Sequence, residues 1–274
     1  MTFDPLHVSQ EEDARLVLLR FHHGKANEMG RPALEALDRV VDLLEDGSAR
    51  ALLSWSDRRT GKGTPVFSAG ADVKERARWT DAEVLRHLDF QRRVMVRLAA
   101  APVLHVCVVD GAALGWGTEY ALAADYAVAG PLARFGLPET GLGIVPGAGG
   151  TARLAARVGL AHALRLALTG EVVDASEAAR IGLVQEVAPT SEVALLRARE
   201  MALRACRRSP TALAACKAAM RGARSDADAL ALHLEGRAYE HCVRTGEAAR
   251  GRAGFEEILA GGEVDWNPRE RFQP

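Results

Sequence analysis

The chain has 274 residues, 48% hydrophobic and 26% charged, with a formal net charge of -1. Such a chain can bury a sizeable core without disulfides or metals. Its near-neutral balance excludes the broad basic field that recruits nucleic acid, so an anionic ligand would have to be held by local lysines, arginines and backbone N–H groups.

The opening segment, MTFDPLHVSQEED, carries acids and no basic-then-apolar leader. No apolar run approaches the ~18 residues that span a bilayer, so a soluble cytoplasmic protein is expected. Residues 15–21 (RLVLLRF) predict a buried strand, and 32–45 predict a helix from the stripe Leu34, Leu37, Val41 and Leu44, with Gly47 as its stop. A short strand at 51–55 and a polar loop, SDRRTGKGTP, lead to Val66 and Phe67. Arg58, Arg59 and Lys62 of that loop either meet phosphates or are simply solvated, and the second reading is preferred.

Residues 80–100 predict a helix that starts at Thr80, with Glu83 placed for a capping box. The unbroken apolar run 103–109 predicts a strand buried on both faces. A helix over 115–124 and a strand over 126–129 follow. This alternation points to a layered α/β domain. From about Thr190 the chain is Ala, Leu, Arg and Glu at helical spacing, and Ser209-Pro210 marks a helix start. The expected division is an α/β core over 1–195 and a helical region over 196–274. Cys107, Cys206, Cys216 and Cys242 show no metal-ligand or CxxC spacing, and no metal site is expected.

Three blocks carry the chemistry. FSAGADVKE (67–75) puts small residues at a strand's end, where a ligand can approach the main chain; by itself it equally suits a tight turn. DGAALGWGTE (110–119) follows the buried strand and opens a helix, so N–H groups near Gly115–Gly117 face out of a positive helix end. Its glycine spacing is wrong for a dinucleotide fingerprint. FGLPETGLGIVPGAGGT (135–151) sets one carboxylate in an irregular glycine- and proline-rich backbone. Two main-chain donors from different loops could form an oxyanion hole. Two carboxylates, Glu119 and Glu139, could transfer protons at the neighbouring carbons.

The same blocks, in this order, resemble the crotonase (enoyl-CoA hydratase/isomerase) superfamily, with the PGAGGT run especially specific. The resemblance extends upstream to KANEM (25–29) and downstream through LTGE and AARIGLV. It implies ββα repeats forming a spiral core with a C-terminal helical region. It also implies an oxyanion hole from the N–H groups of Ala71 and Trp116, and catalytic roles for Glu119 and Glu139. CoA would be met by Lys25, Ala69, Gly70, Ala71, Asp72, Val73, Lys74 and Gly115. CoA would be part of the substrate, with no further cofactor. A homo-oligomer, trimer or dimer of trimers, is implied, with an acyl-CoA as partner and neither nucleic acid nor membrane.

Having both glutamates favours hydration of a 2-enoyl-CoA over isomerisation, hydrolysis, a branched-chain hydratase or lyase, or a catalytically idle subunit. One departure stands out: hydratases commonly have three glycines where this chain has Gly115-Trp116-Gly117. The N–H survives the change, but the indole must either pack inside or wall the acyl pocket, and packing is preferred.

Overall fold

The computed structural model describes residues 3–11, 13, 15–222, 225–262, 264 and 266. It opens with an antiparallel pair, β1 (His7–Glu11) and β2 (Leu16–Phe21). In α1 (Arg31–Glu45) the stripe Leu34, Leu37, Val41 and Leu44 is fully buried, as the 3.6-residue period requires. This helix has no side-chain cap of its own at Gly30; Glu75 accepts from the Arg31 N–H at 2.9 Å instead.

From there the chain winds in units of two strands and a helix. The first strand of each unit joins one sheet and the second joins another. β3 (Ala51–Ser56) and β4 (Val66–Ser68) precede α2 (Val73–Arg76) and α3 (Asp81–Ala100). β5 (Leu104–Val109) and β6 (Ala112–Leu114) precede α4 (Trp116–Ala123). β7 (Tyr126–Ala129) and β8 (Arg134–Gly136) precede a short 3-10 helix (Pro138–Leu142), α5 (Gly150–Val158) and α6 (Leu160–Thr169). β9 (Val173–Asp174), α7 (Ala175–Arg180) and β10 (Glu186–Val187) complete the sheets. Their orders are β1-β2-β3-β5-β7-β10 and β4-β6-β8-β9, parallel except for β1 with β2 and β8 with β9. This is the expected spiral. The expected capping box of α3 is present at Thr80 and Glu83.

α8 (Ser191–Cys206) lays Ala194, Ala198 and Ala202 on the large sheet against Leu53, Val106 and Val128. Alanine at every fourth position lets the helix approach closely and covers the second sheet face. That double coverage is why 103–109 is apolar without alternation. Residue 195, the expected end of the core, lies inside this packed helix.

α9 (Pro210–Gly222) begins at Ser209, whose hydroxyl accepts from the Ala212 N–H at 3.3 Å. Lys217 and Arg221 tie it to Asp125 at 2.7 and 2.8 Å. α10 (Ser225–Arg244) returns across α3 and α5, and α11 (Glu247–Ala253) and α12 (Phe255–Leu259) reach the 3-10 helix. Among the described residues no helix is long and apolar enough to cross a membrane, and the cysteines are free thiols.

Candidate active site

The parallel strands β4, β6 and β8 end side by side, and each is followed by one of the three blocks. Ligands of α/β sheets gather at such carboxyl ends. The segment after β4 is zipped to the 26–29 turn: Ala69 N–H donates to Ala26 O at 2.9 Å, Met29 N–H to Gly70 O at 2.8 Å, and Asp72 N–H to Met29 O at 3.1 Å. Asn27, fully buried, holds that turn by donating to Phe67 O at 2.9 Å. The N–H of Ala71, between these bonds, has no partner among the described residues. Asp72 then caps α2, accepting from Glu75 N–H at 2.9 Å.

Gly70 has φ +101°, and a Cβ there would stand 3.1 Å from Leu114 O and 3.8 Å from Trp116 N. Glycine is therefore what lets the first block lie against the second. The Trp116 N–H opens α4 and has no acceptor among the described residues. Two unpartnered donors thus sit on adjoining loops. Lys25, Ala69 and Lys74 are exposed and Val73 is half-buried. Arg58 Nε donates to Lys25 O at 3.3 Å, bringing the 57–65 turn beside Lys25, while Arg59 bonds within its own turn to Gly63 O.

Glu119 lies in the first turn of α4 and is buried. Its Oε1 accepts from the N–H groups of Ala148 and Gly150 at 2.7 and 2.8 Å. Burial, and then the charge of Glu235, push its carboxyl up to about 7 against those two donors. Glu139 is buried in the 3-10 helix, and a Cβ at Gly115 would stand 3.0 Å from its Oε1. Its Oε2 has no hydrogen-bond partner among the described residues. Burial, with Glu119 adding to it, raises this carboxyl well above the ordinary range. Both carboxyls are therefore held above the ordinary carboxylate range, Glu119 near neutrality, which suits groups that take up and release protons.

The indole of Trp116, 2% exposed, packs against Tyr120 at 5.2 Å and edge-on to Phe21 at 6.2 Å. The departure from glycine is absorbed by the core. Glu235 of α10 was not singled out from sequence, yet it is buried at the site and accepts from the Gly149 N–H at 2.7 Å. Its signal was there: Glu235 shares a face with buried Tyr239 and Val243, one and two turns on, where an apolar residue is the norm. Among the described residues, no group of His, Cys, Asp and Glu is placed to hold a metal ion.

The enoyl-CoA hydratase/isomerase family model matches residues 59–264. The short-chain-enoyl-CoA hydratase of Clostridium acetobutylicum is 34% identical, covering 90% of this chain and 93% of its own. The mitochondrial methylglutaconyl-CoA hydratase of Rattus norvegicus is 33% identical, covering 90% and 79%. The crystal structure of an enoyl-CoA hydratase from Bacillus anthracis superposes with a TM-score of 0.73 at 31% identity, covering 92% of this chain and 96% of that one.

Proposed function

Since the chain belongs to the enoyl-CoA hydratase/isomerase family and has the crotonase fold, we propose that it adds water across the C2=C3 bond of a 2-enoyl-CoA. The observation that carries this reading is the pair of buried glutamates, both raised by burial, beside two N–H groups that have no partner among the described residues. The thioester oxygen lies between the N–H groups of Ala71 and Trp116. Glu119 takes a proton from water as its oxygen bonds to C3, and the C=C pair moves toward the thioester to give an enolate. The two N–H donors stabilise the charge developing on that oxygen. Glu139 then delivers a proton to C2, completing addition from one face. The CoA moiety runs along Lys25, the 69–74 main chain and Gly115, and no cofactor beyond the substrate's own CoA takes part.

Mass spectrometry of the pure protein with a panel of acyl-CoA thioesters tests this. Gain of one water is expected, whereas an unchanged mass with a shifted double bond, or loss of CoA, would assign isomerisation or hydrolysis. Relatives named for short-chain and for methylglutaconyl thioesters are similarly close, so the panel spans straight, branched and carboxylated acyl groups. The pH profile gives a second check. A base must be ionised, so kcat/KM, which reports the free enzyme, should rise with pH through about 7 as Glu119 loses its proton. It should fall again only at higher pH, where Glu139 ionises. A rate that is flat across neutrality would remove Glu119 from the base role.

We also propose a trimer or dimer of trimers, with α10 to α12 closing over the site. On α6, Leu160, Leu164 and Leu168 recur one turn apart and are 66%, 46% and 67% exposed, and Val172 continues the patch at 46%. Such a row asks for a covering partner, and a second copy of the chain supplies it. Light scattering at micromolar concentration should give a multiple of the 29.3 kDa chain; a clean monomer would overturn the assembly.

A further inference from the structure

The segment from Pro146 into the first turn of α5 is held by two carboxylates in alternation. The N–H groups of Ala148 and Gly150 donate to Glu119 Oε1 at 2.7 and 2.8 Å. Those of Gly149 and Thr151 donate to Glu235 Oε1 and Oε2 at 2.7 and 3.0 Å, and the Thr151 hydroxyl adds a bond to Oε2 at 2.5 Å. Four successive N–H groups are thus divided between a helix of the spiral core and α10 of the C-terminal helical region. Gly149 stands in the left-handed region at φ +92°, a conformation glycine alone adopts freely. Should Gly149 and Thr151 be released, the N–H groups of Ala148 and Gly150 would lose their aim at Glu119.

The charges around the pair are few. Glu119 faces the negative Glu235 of α10 and the buried Glu139 of the 3-10 helix, with Arg153 of α5 opposing them. Glu235 has Arg153 nearby and Arg92 of α3 with Nε at 4.0 Å. Burial raises the Glu235 carboxyl, and its bonds from Thr151 and Gly149, with Arg153, pull it back. Every one of those bonds is one that it accepts, the arrangement of an ionised carboxylate. Glu235 therefore ionises before Glu119, which has fewer donors.

We infer that Glu235 is a positioning residue for Glu119: it clamps the 148–151 loop that presents N–H groups to Glu119, and its fixed negative charge keeps Glu119 a competent base. The catalytic half of this inference rests on the hydratase reading.

The test compares Glu235→Gln and Glu235→Asp with the parent in the assembled full-length protein. It measures kcat and KM for crotonyl-CoA against pH. It also follows the infrared band of protonated Glu119, identified by its loss in Glu119→Gln. With Glu235→Gln, kcat should fall by about 10–100-fold, the usual cost of losing the support behind a functional side chain, with KM nearly unchanged. A like charge has gone, and its effect on Glu119 exceeds that of either N–H donor, so Glu119 should ionise more readily even where its bonds from Ala148 and Gly150 weaken. The acidic limb and the infrared titration should both move to lower pH by about one unit. Glu235→Asp keeps the charge but shortens the reach, so kcat should fall without that downward move. A Glu235→Gln protein with parental kcat, or one whose rate falls while both titrations stay in place, would overturn the inference. If Glu235→Gln does not assemble, Glu235→Asp decides, and parental kcat there overturns the clamp. Failure of the hydratase reading is seen separately, as a parent that hydrates no thioester, and the infrared shift then still decides whether Glu235 tunes Glu119.

Discussion

Glu119→Gln and Glu139→Gln are each expected to slow hydration of crotonyl-CoA by about 10²–10⁴-fold, the cost of removing a positioned base or acid. The amide keeps the size of the side chain, and at Glu119 its oxygen can still accept from Ala148 or Gly150 N–H. The folded site should therefore survive and KM should change little, because the thioester is held by main-chain donors. The variants should differ in pH dependence. Glu119→Gln removes the rise through about 7, and Glu139→Gln removes the fall at higher pH. The double variant should be much less than multiplicatively worse, since both carboxyls act on one addition. Steady-state kinetics separates the alternatives. Dependence on Glu139 alone would favour a one-acid isomerase. Independence of both, with CoA still bound, would favour an idle subunit.

The legible parts of the fold were those in which one short window contains the whole physical cause. The α1 stripe needs only a periodic face, and the Thr80–Glu83 box caps its own helix. The run 103–109 announced a strand covered on both faces, and α8 supplied the second cover. β6 and β8, three residues each, are too short to show a period, and they exist because they pair with each other at the turns of the spiral. β1 is polar and lies at the edge of its sheet, so no apolar pattern marked it.

The site divides along the same line. The glycines near 70 and 115 were visible as places of close approach, and the structure puts them against each other. The meeting of Glu119 with the Ala148–Gly150 loop depends on tertiary winding, and Glu235 reaches Gly149 across 86 positions of sequence. No local pattern encodes such a bond. A charged residue on an apolar helical face hints that a partner exists, and only the fold says which. Trp116 gives the converse case: its backbone role could be proposed from position, while the fate of its indole was decided by Phe21 and Tyr120.

Ala71→Pro is expected to lower turnover by at least the ~10²–10³-fold that follows loss of one oxyanion donor. Proline has no N–H, and at Ala71 that N–H has no other acceptor among the described residues. The neighbouring bonds, Met29 N–H to Gly70 O and Asp72 N–H to Met29 O, use groups that the substitution leaves in place. The zip between the two segments should therefore hold, and circular dichroism and the assembly state should match the parent. Ala71→Ser is the control: it keeps the donor and should keep most of the rate. The loss should appear in kcat rather than in CoA affinity, because the donor meets charge that develops only as the enolate forms. Parental turnover in a folded Ala71→Pro protein would place the oxyanion on some other donor. Equal losses in the proline and serine variants would mean that crowding, not the missing N–H, was responsible.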